Sequence, residues 1–249
     1  MWRNWYTLLT SVLYNNDMKR GPKPKGKVVI KWRPGFAYAI GLLVSDGCLS
    51  KDGRHIDLTS KDKSQLSTFN RCLDINIRIG QKFSSNGSMA YRIQFGDVLF
   101  YKFLLSIGLS SAKSKTISNI SIPKKYFFDF LRGYFDGDGS SYSFYDSVWK
   151  NSYRFYISFA SASPKYIEWL RNELKINAGV KGHISRGVRV SAIQLRYSKR
   201  EAIIIAKKMY YHKGQVYLKR KYLKICKSLS IIESGRSGVI GKRAAFRTQ

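Results

Sequence analysis

Two aspartates, Asp46 and Asp138, stand in the same sequence setting and could together hold a divalent cation. Each follows an apolar segment with a glycine midway and precedes another glycine: the segments read AIGLLVSDG and LRGYFDGDG. The midway glycines, Gly41 and Gly133, would let two helices approach closer than the roughly 8–10 Å that larger side chains impose. The glycine after each acid could stop its helix in the left-handed conformation. Helices paired in this way would place the two carboxylates together, where they repel unless they share a proton or a cation.

The elements around both segments recur in one order, which predicts an internal duplication with a pseudo-two-fold axis. In the first repeat we predict helices over 36–45, 65–73 and 97–108 and strands over 54–59, 77–83 and 90–95. In the second we predict helices over 124–135, 164–174 and 199–210 and strands over 154–159, 179–184 and 188–197. The offset between Asp46 and Asp138 is 92 residues, and RIQF at 92–95 has a counterpart in AIQL at 192–195.

The charge of the chain indicates a polyanionic partner. There are 45 Lys and Arg against 15 Asp and Glu in 249 residues, a formal net charge of +30. That excess is far beyond what solubility requires. No stretch approaches the roughly 20 apolar residues of a membrane span, and no long basic amphipathic helix stands out. Nucleic acid is therefore the favoured partner, and a membrane is not expected.

The cysteines and histidines do not form a metal site. The three cysteines are scattered without a CxxC pair, and the three histidines lie far apart. This excludes a structural zinc site with usual ligand spacing. Unpaired cysteines fit a reducing environment, so we expect an intracellular protein that is not secreted.

On the two acidic segments, the chain resembles a single-chain LAGLIDADG homing endonuclease. The second copy, with the lead-in IPKKYFFDF over 122–130, is highly specific, whereas the first has Val44 where the family name has an aspartate. The family's metal-binding acid is the eighth letter, which falls on Asp46 and Asp138. The resemblance covers about residues 34–225.

The resemblance implies an α+β fold of two pseudo-symmetric αββαββα repeats, with the motif helices at the interface and two antiparallel sheets that form a saddle for DNA. The fourth strand of each repeat is expected within 47–51 and 140–144, paired as a hairpin with the strand that follows. The implied division is a leader with a basic Pro/Gly segment over 1–33, a first half over 34–121, a second half over 122–232 and a basic flexible tail over 233–249.

The resemblance also implies metal-dependent hydrolysis of phosphodiesters. Asp46 and Asp138 would hold Mg²⁺, for which Mn²⁺ is expected to substitute, with help from the carbonyls of Ser45 and Gly137. Basic residues near such metals stabilise the transition state in the family. Lys61 matches a family lysine, while Lys115 and Lys221 are chosen from KSK at 113–115 and KRK at 219–221. The acids Asp62, Asp129 and Asp136 are expected to be capping or surface residues.

Outward strand residues would read the DNA target, since arginine suits guanine and glutamine suits adenine in the major groove. In the strand over 154–159, Phe155, Ile157 and Phe159 should point inward. The candidates for DNA contact are Arg54, His55, Asp57, Arg78, Lys82, Arg92, Gln94, Arg154, Tyr156, Lys181, His183, Arg189, Gln194 and Arg196.

Two alternatives to a site-specific, intron-encoded double-strand endonuclease stay open: an intron RNA maturase and a DNA-binding protein of the same fold without cleavage. Double-stranded DNA is the expected partner and host intron RNA the alternative one. A monomer is expected, because one chain supplies both motif helices.

Overall fold

Two helices, α1 (Pro34–Ser45) and α5 (Phe127–Asp138), pack against each other at the centre of the molecule. The structure is a computed structural model that describes residues 26–149, 151–186 and 192–245. A proline at the first turn starts α1, and residues 36–44 are all buried. A helix that is apolar on every side must be enclosed by other elements, which explains its central position.

The first repeat continues with two hairpins and two covering helices. Its elements are β1 (Gly47–Leu49), β2 (His55–Ser60), α2 (Lys63–Leu73), β3 (Gly80–Phe83), β4 (Met89–Gly96), α3 (Val98–Ser106) and the short α4 (Lys113–Thr116). The strands form an antiparallel sheet in the order β1-β2-β4-β3.

The second repeat has the same order of elements. A 3-10 turn (Lys124–Tyr126) leads into α5, and then come β5 (Gly139–Tyr145), β6 (Tyr153–Ser161), α6 (Pro164–Ala178), β7 (His183–Arg186), β8 (Ile193–Tyr197), α7 (Lys199–Met209) and α8 (Lys219–Ala245). Its antiparallel sheet has the order β5-β6-β8-β7. The predicted α+β duplication is confirmed, and β1 and β5 are the fourth strands expected directly after each acid.

The midway glycines allow backbone contact between α1 and α5. An ideal Cβ on Gly41 would lie 2.2 Å from the carbonyl oxygen of Phe130, and one on Gly133 would lie 2.0 Å from that of Tyr38. These distances are far inside van der Waals contact, so larger residues would force the helices apart.

The glycines after the acids have a different role from the one predicted. Gly139 is extended, with φ −80° and ψ 156°, and Gly47 is not among the described glycines of positive φ. Each begins a strand, and an added Cβ would lie 2.6 Å from the carbonyl oxygen of Leu43 or 2.7 Å from that of Phe135, respectively. Close approach to the preceding helical turn, rather than left-handed backbone, therefore requires glycine at both positions.

Strand alternation follows the prediction in the core. Phe155, Ile157 and Phe159 are fully buried beneath the second sheet. Three strands begin later than predicted: β3 at Gly80, β7 at His183 and β8 at Ile193, with residues 187–191 outside the described part of the chain. Ile77 and Ile79 still pack against the core, which accounts for the apolar pattern before β3.

The predicted leader and tail differ from the structure at their inner boundaries. Residues 1–25 and 246–249 lie outside the described part of the chain. The backbone N–H groups of Lys27 and Val28 donate to the carboxylate of Asp97 at 2.6 and 2.9 Å, and Val28 is buried in the core. The predicted tail begins within α8, so residue 233 is not a structural boundary.

Among the described residues, no helix is both long enough and apolar enough to cross a membrane.

Candidate active site and nucleic-acid face

The paired helices bring Asp46 and Asp138 together at one end of the interface. Asp46 directly follows α1, and Asp138 is the last residue of α5. An ideal Cβ on Gly137 would lie only 2.7 Å from Oδ2 of Asp46, so the first acid lies against the backbone of the second motif. The predicted juxtaposition of the two acids is present.

Each carboxylate is accessible to solvent but is surrounded by enough protein to disfavour its charge. Desolvation, together with the nearby charge of Asp138, raises the pKa of Asp46 to about 6. Desolvation also raises the pKa of Asp138. Two ammonium groups, those of Lys113 and Lys221, act in the opposite direction on both acids. Any further positive charge in the site would therefore stabilise the ionised form of both carboxylates.

Lys113 and Lys221 occupy equivalent positions beside the two acids. Nζ of Lys113 donates to the carbonyl of Ser45 at 2.9 Å, and Nζ of Lys221 donates to that of Gly137 at 2.7 Å. Lys221 also donates to the carbonyls of Phe135 and Gly139, at 2.7 and 2.6 Å. Burial lowers the pKa of both lysines, that of Lys221 to about 8.

The structure places Lys113, and not the predicted Lys115, beside the two acids. Lys115 is exposed, whereas Lys113 is buried against the end of α1. Residues two apart on a helix do not share a face, so only one of the two can reach the acids. The sequence aligned KSK with KRK, but 67 residues separate Asp46 from Lys113 and 83 separate Asp138 from Lys221. Because these two chain segments differ in length, alignment of KSK with KRK does not identify the two lysines that lie beside the acids.

Gln65 is a site residue that sequence reasoning missed. It is buried on the apolar face of α2, accepts a hydrogen bond from the hydroxyl of Ser60 at 2.6 Å and donates to the carbonyl of Asp136 at 3.1 Å. It therefore ties the first sheet to the second motif helix. A polar residue at an apolar helical position was the available signal. Lys61 lies beside Ser60 and is exposed, so its catalytic role stays a prediction.

Two of the three acids expected at caps or on the surface are buried. Asp136 accepts hydrogen bonds from the hydroxyl of Tyr38 and the N–H of Leu218, both at 2.7 Å, and burial raises its pKa to about 6. Asp129 forms an ion pair of 2.7 Å with Arg132 in the core. In contrast, Asp62 pairs with Arg220 near the surface and connects the two halves.

A pocket of about 80 Å³ opens beside Asp138. It is lined by Lys113, Asp138, Tyr166 and other residues, including Ser161 and Ala162. Tyr166 is the repeat counterpart of Gln65, but within the described chain its buried hydroxyl has no hydrogen-bond partner. The Gln65 side is closed by a hydrogen bond, and the Tyr166 side is open.

The outward face of the first sheet is polar and partly self-paired. Asp57 lies opposite Gln94 across β2 and β4, and Thr59 lies opposite Arg92. The guanidinium of Arg92 pairs with Asp57, which also accepts a hydrogen bond from the hydroxyl of Thr59 at 3.2 Å. Gln94 is exposed and His55 pairs with Asp52. Arg92 and Asp57 are therefore held in place rather than free to reorient.

The outward face of the second sheet is aromatic as well as basic. Tyr156 lies opposite Tyr142, and the guanidinium carbon of Arg196 lies 5.6 Å from the centre of the Tyr156 ring. Arg154 pairs with Asp146 at 2.9 Å. Gln194 and His183 are exposed on β8 and β7.

The remaining predicted contacts lie at the ends of strands or outside the described chain. Lys82 is exposed on β3, Arg78 precedes that strand, Arg54 precedes β2 and Lys181 precedes β7, and all four side chains are exposed. Arg189 lies outside the described residues. Whether any of these side chains contacts DNA stays a prediction.

Comparisons with known proteins agree with this architecture. The family model of the LAGLIDADG-like domain matches residues 127–210. Among curated proteins, the DNA-directed RNA polymerase subunit Rpo1C of Methanocaldococcus jannaschii is 27% identical over 135 residues, which are 52% of this chain. The chain spans only 16% of the length of that relative.

Solved structures share the fold at low sequence identity. The homing endonuclease I-WcaI bound to its DNA recognition sequence has a TM-score of 0.56 at 15% identity, covering 83% of this chain and 95% of its own. I-SmaMI bound to an uncleaved DNA target with calcium ions has a TM-score of 0.56 at 14% identity, covering 86% and 97%. Full-length WhiA from Thermatoga maritima has a TM-score of 0.53 at 14% identity, covering 88% and 70%.

The fold assignment rests on two observations. Two four-stranded sheets flank a pair of helices in contact at their glycines, and the family model matches residues 127–210. Residues 127–210 match the LAGLIDADG-like domain, and the chain as a whole shares its two-repeat fold with the homing endonucleases I-WcaI and I-SmaMI.

Proposed function

We propose that this protein is a site-specific endonuclease that cuts both strands of double-stranded DNA with divalent metal held by Asp46 and Asp138. The observation that carries the proposal is the position of these two acids at one end of the paired helices, each with a lysine beside it. A site built only for packing gains nothing from two accessible carboxylates that repel each other. The formal charge of +30 and the basic outward residues of both sheets supply the attraction to DNA.

The residues present fit a hard divalent cation such as Mg²⁺. The described residues contain no cluster of three or more His, Cys, Asp or Glu, so the protein offers two carboxylates and nearby carbonyls. Mg²⁺ commonly takes one or two carboxylates and completes its shell with water and substrate phosphate. The raised pKa of both acids supports this proposal, because a nearby cation would favour the ionised form of each carboxylate.

The carbonyls of Ser45 and Gly137, which are predicted to bind the metal, lie against the two lysines of the site. Each already accepts a hydrogen bond from a lysine, although a carbonyl oxygen has a second lone pair. Their role as metal ligands stays a proposal.

The side chains of the site would divide the work of hydrolysis among them. When bound, the metal supplies an activated water and offsets the charge that develops on the phosphate. Asp46 and Asp138 would each hold divalent metal for the cleavage of one of the two DNA strands. Lys113 and Lys221 would hold positive charge beside each acid, close to where negative charge grows in the transition state. Gln65 acts as a positioning residue, since it holds the second motif through the carbonyl of Asp136.

Finer features of the function belong to the same proposal. We expect Mg²⁺ with Mn²⁺ as substitute, an intron as the coding location, an intracellular setting and a monomer. The monomer is supported by α1 and α5, which supply both motifs from one chain. The alternative is a binding protein for DNA or intron RNA without cleavage.

A library of random DNA duplexes incubated with the full chain tests the proposal. In Mg²⁺ the wild type should release fragments that share one long sequence, whereas in Ca²⁺ it should bind that sequence uncut. Asp46→Asn and Asp138→Asn should each abolish cleavage and keep binding, because they change a carboxylate to an amide of nearly equal size. Ser140→Ala, an exposed residue near Asp138, is the matched control and should still cut.

Three results would reject or redirect the proposal. Cleavage that persists in both aspartate variants would remove the acids from catalysis. Sequence-specific binding without cutting in every lane would leave the DNA-binding alternative. If the protein binds a structured RNA but no DNA duplex, the maturase alternative would be favoured.

A further inference from the structure

The outward face of the second sheet carries three neighbouring aromatic rings that the catalytic site does not use. Tyr142 and Phe144 lie on β5 and Tyr156 on β6, and we call these three residues the aromatic ledge. The ring centres of Tyr142 and Tyr156 are 4.9 Å apart, those of Phe144 and Tyr156 are 6.2 Å apart, and the planes lie within 19° of parallel. Phe144 is 48% exposed, so the ledge offers apolar surface on this face of the sheet.

The ring of Tyr156 is the central one of the ledge and lies beside a guanidinium. β6 lies between β5 and β8, so Tyr156 has Tyr142 on one side and Arg196 on the other. The guanidinium carbon of Arg196 is 5.6 Å from the centre of the Tyr156 ring, and its Nη1 donates to the hydroxyl of Tyr142 at 3.2 Å. Because the bases of a duplex are stacked on one another, these rings would meet base edges in the major groove rather than base faces.

Among the residues that the structure describes, the first sheet carries no such aromatic surface at the equivalent place. Its edge strand, β1, has three residues against the seven of β5, and Cys48 of β1 lies opposite Asp57. Next to Asp57 the face carries Arg92 and Gln94, which are polar. The two sheets would thus offer different chemistry to the two halves of one target.

We propose that the aromatic ledge selects thymine in one half of the DNA target by contact with the 5-methyl group. This inference rests on the proposed function. The methyl group of thymine is the apolar group that the major groove presents, and each other base edge there is a donor or an acceptor. Three apolar rings beside one guanidinium held by the hydroxyl of Tyr142 suit a thymine next to a hydrogen-bond acceptor such as guanine.

Replacement of thymine by deoxyuridine tests the ledge, because it removes the methyl group and leaves the hydrogen-bonding edges unchanged. The target is the duplex enriched by the full chain from a random library in Ca²⁺. Its thymines are replaced in one half at a time, and Kd is measured for wild type, Phe144→Ser and Gln94→Ser. Gln94 is exposed on the outward face of the first sheet and serves as the matched control.

When deoxyuridine is placed in the half that the ledge contacts, we expect wild-type binding to weaken about fourfold for each methyl group that the ledge touches, from the usual worth of one buried methyl. Phe144→Ser should weaken binding to the thymine duplex and reduce its preference over deoxyuridine toward unity. Gln94→Ser should weaken binding to both duplexes alike. Far-UV circular dichroism of each variant confirms that it folds.

Different failures point to different causes. An enriched duplex whose Kd is unchanged by deoxyuridine in either half, or whose thymine preference survives Phe144→Ser, overturns the role of the ledge and leaves the endonuclease proposal intact. An enriched target that lacks thymine in both halves does the same. A library that yields no enriched duplex rejects the proposed function and this inference together.

Discussion

The glycine in the middle of α1 should be far more sensitive to substitution than a glycine at the start of the same helix. In Gly41→Ala, the new Cβ would lie 2.2 Å from the carbonyl oxygen of Phe130 and 2.6 Å from the backbone nitrogen of Tyr134. Both neighbours are backbone atoms, so no side chain can rotate away. The helices would have to separate by roughly 1 Å or more to restore ordinary contact.

Gly35→Ala is the matched control for this change. Gly35 lies in the first turn of α1, and its added Cβ would meet Sγ of Cys72 at an ordinary 3.5 Å. Alanine also favours helix over glycine by up to about 1 kcal/mol. Overpacking between well-packed elements costs about 3 kcal/mol when backbone must move. We therefore expect Gly41→Ala to lose about 3 kcal/mol of unfolding free energy and Gly35→Ala to lose none.

Urea unfolding followed by circular dichroism measures both free energies. Separation of the helices would also displace Asp46 from Asp138, so cleavage by Gly41→Ala should fall about 100-fold, more than DNA binding does. Equal stability of the two variants would show that the helix interface can relax around a methyl group, and the close-contact argument would then be wrong.

Three further changes have definite expected results. Arg132→Met should destabilise the protein by about 4 kcal/mol in thermal or urea unfolding, because it removes the guanidinium that pairs with the buried carboxylate of Asp129. A loss of unfolding free energy under about 1 kcal/mol would contradict this. Lys113→Met should reduce cleavage about 100-fold with intact DNA binding, whereas Lys115→Met should leave cleavage unchanged. Equal cleavage by the two variants would refute the choice of Lys113 over Lys115. The raised pKa of Asp136, about 6 against an ordinary 3.8, means that the folded state binds its proton more tightly than the unfolded state, so this residue should add about 2 kcal/mol of stability as the pH falls from 7 to 4. In metal-free buffer, Asp136→Asn should lose that increment, and a wild-type-like pH profile for the variant would refute the burial argument.

The duplication was readable from the sequence because it is written in local patterns. Apolar periodicity around AIGLLVSDG and LRGYFDGDG predicts buried helices, and alternation at Phe155, Ile157 and Phe159 predicts a strand with one buried face. The elements, the two-repeat fold and the approximate strand positions followed from these patterns. The pairing of Asp46 with Asp138 followed from the repeat together with the midway glycines.

The lysines show where local patterns stop being sufficient. KSK and KRK look alike, yet Lys113 of one and Lys221 of the other reach the site, because the connections that carry them differ in length. Gln65 and Tyr166 occupy equivalent positions in the repeat, but only Gln65 makes a hydrogen bond across the interface. A contact between residues far apart in the chain depends on where both elements come to lie, which no single segment encodes.

The sequence by itself therefore determined the class of fold, the pairing of the two acids and the excess of positive charge from which a polyanionic partner is expected, since charge, periodicity and a repeated motif are properties of the chain. Tertiary structure alone decided which lysines join those acids, which arginines are held by Asp57 and Asp146, and that Tyr142, Phe144 and Tyr156 form one surface. The physical reason is that strand register and helix packing set distances of a few ångströms between side chains, and charge pairing and ring contact depend on those distances.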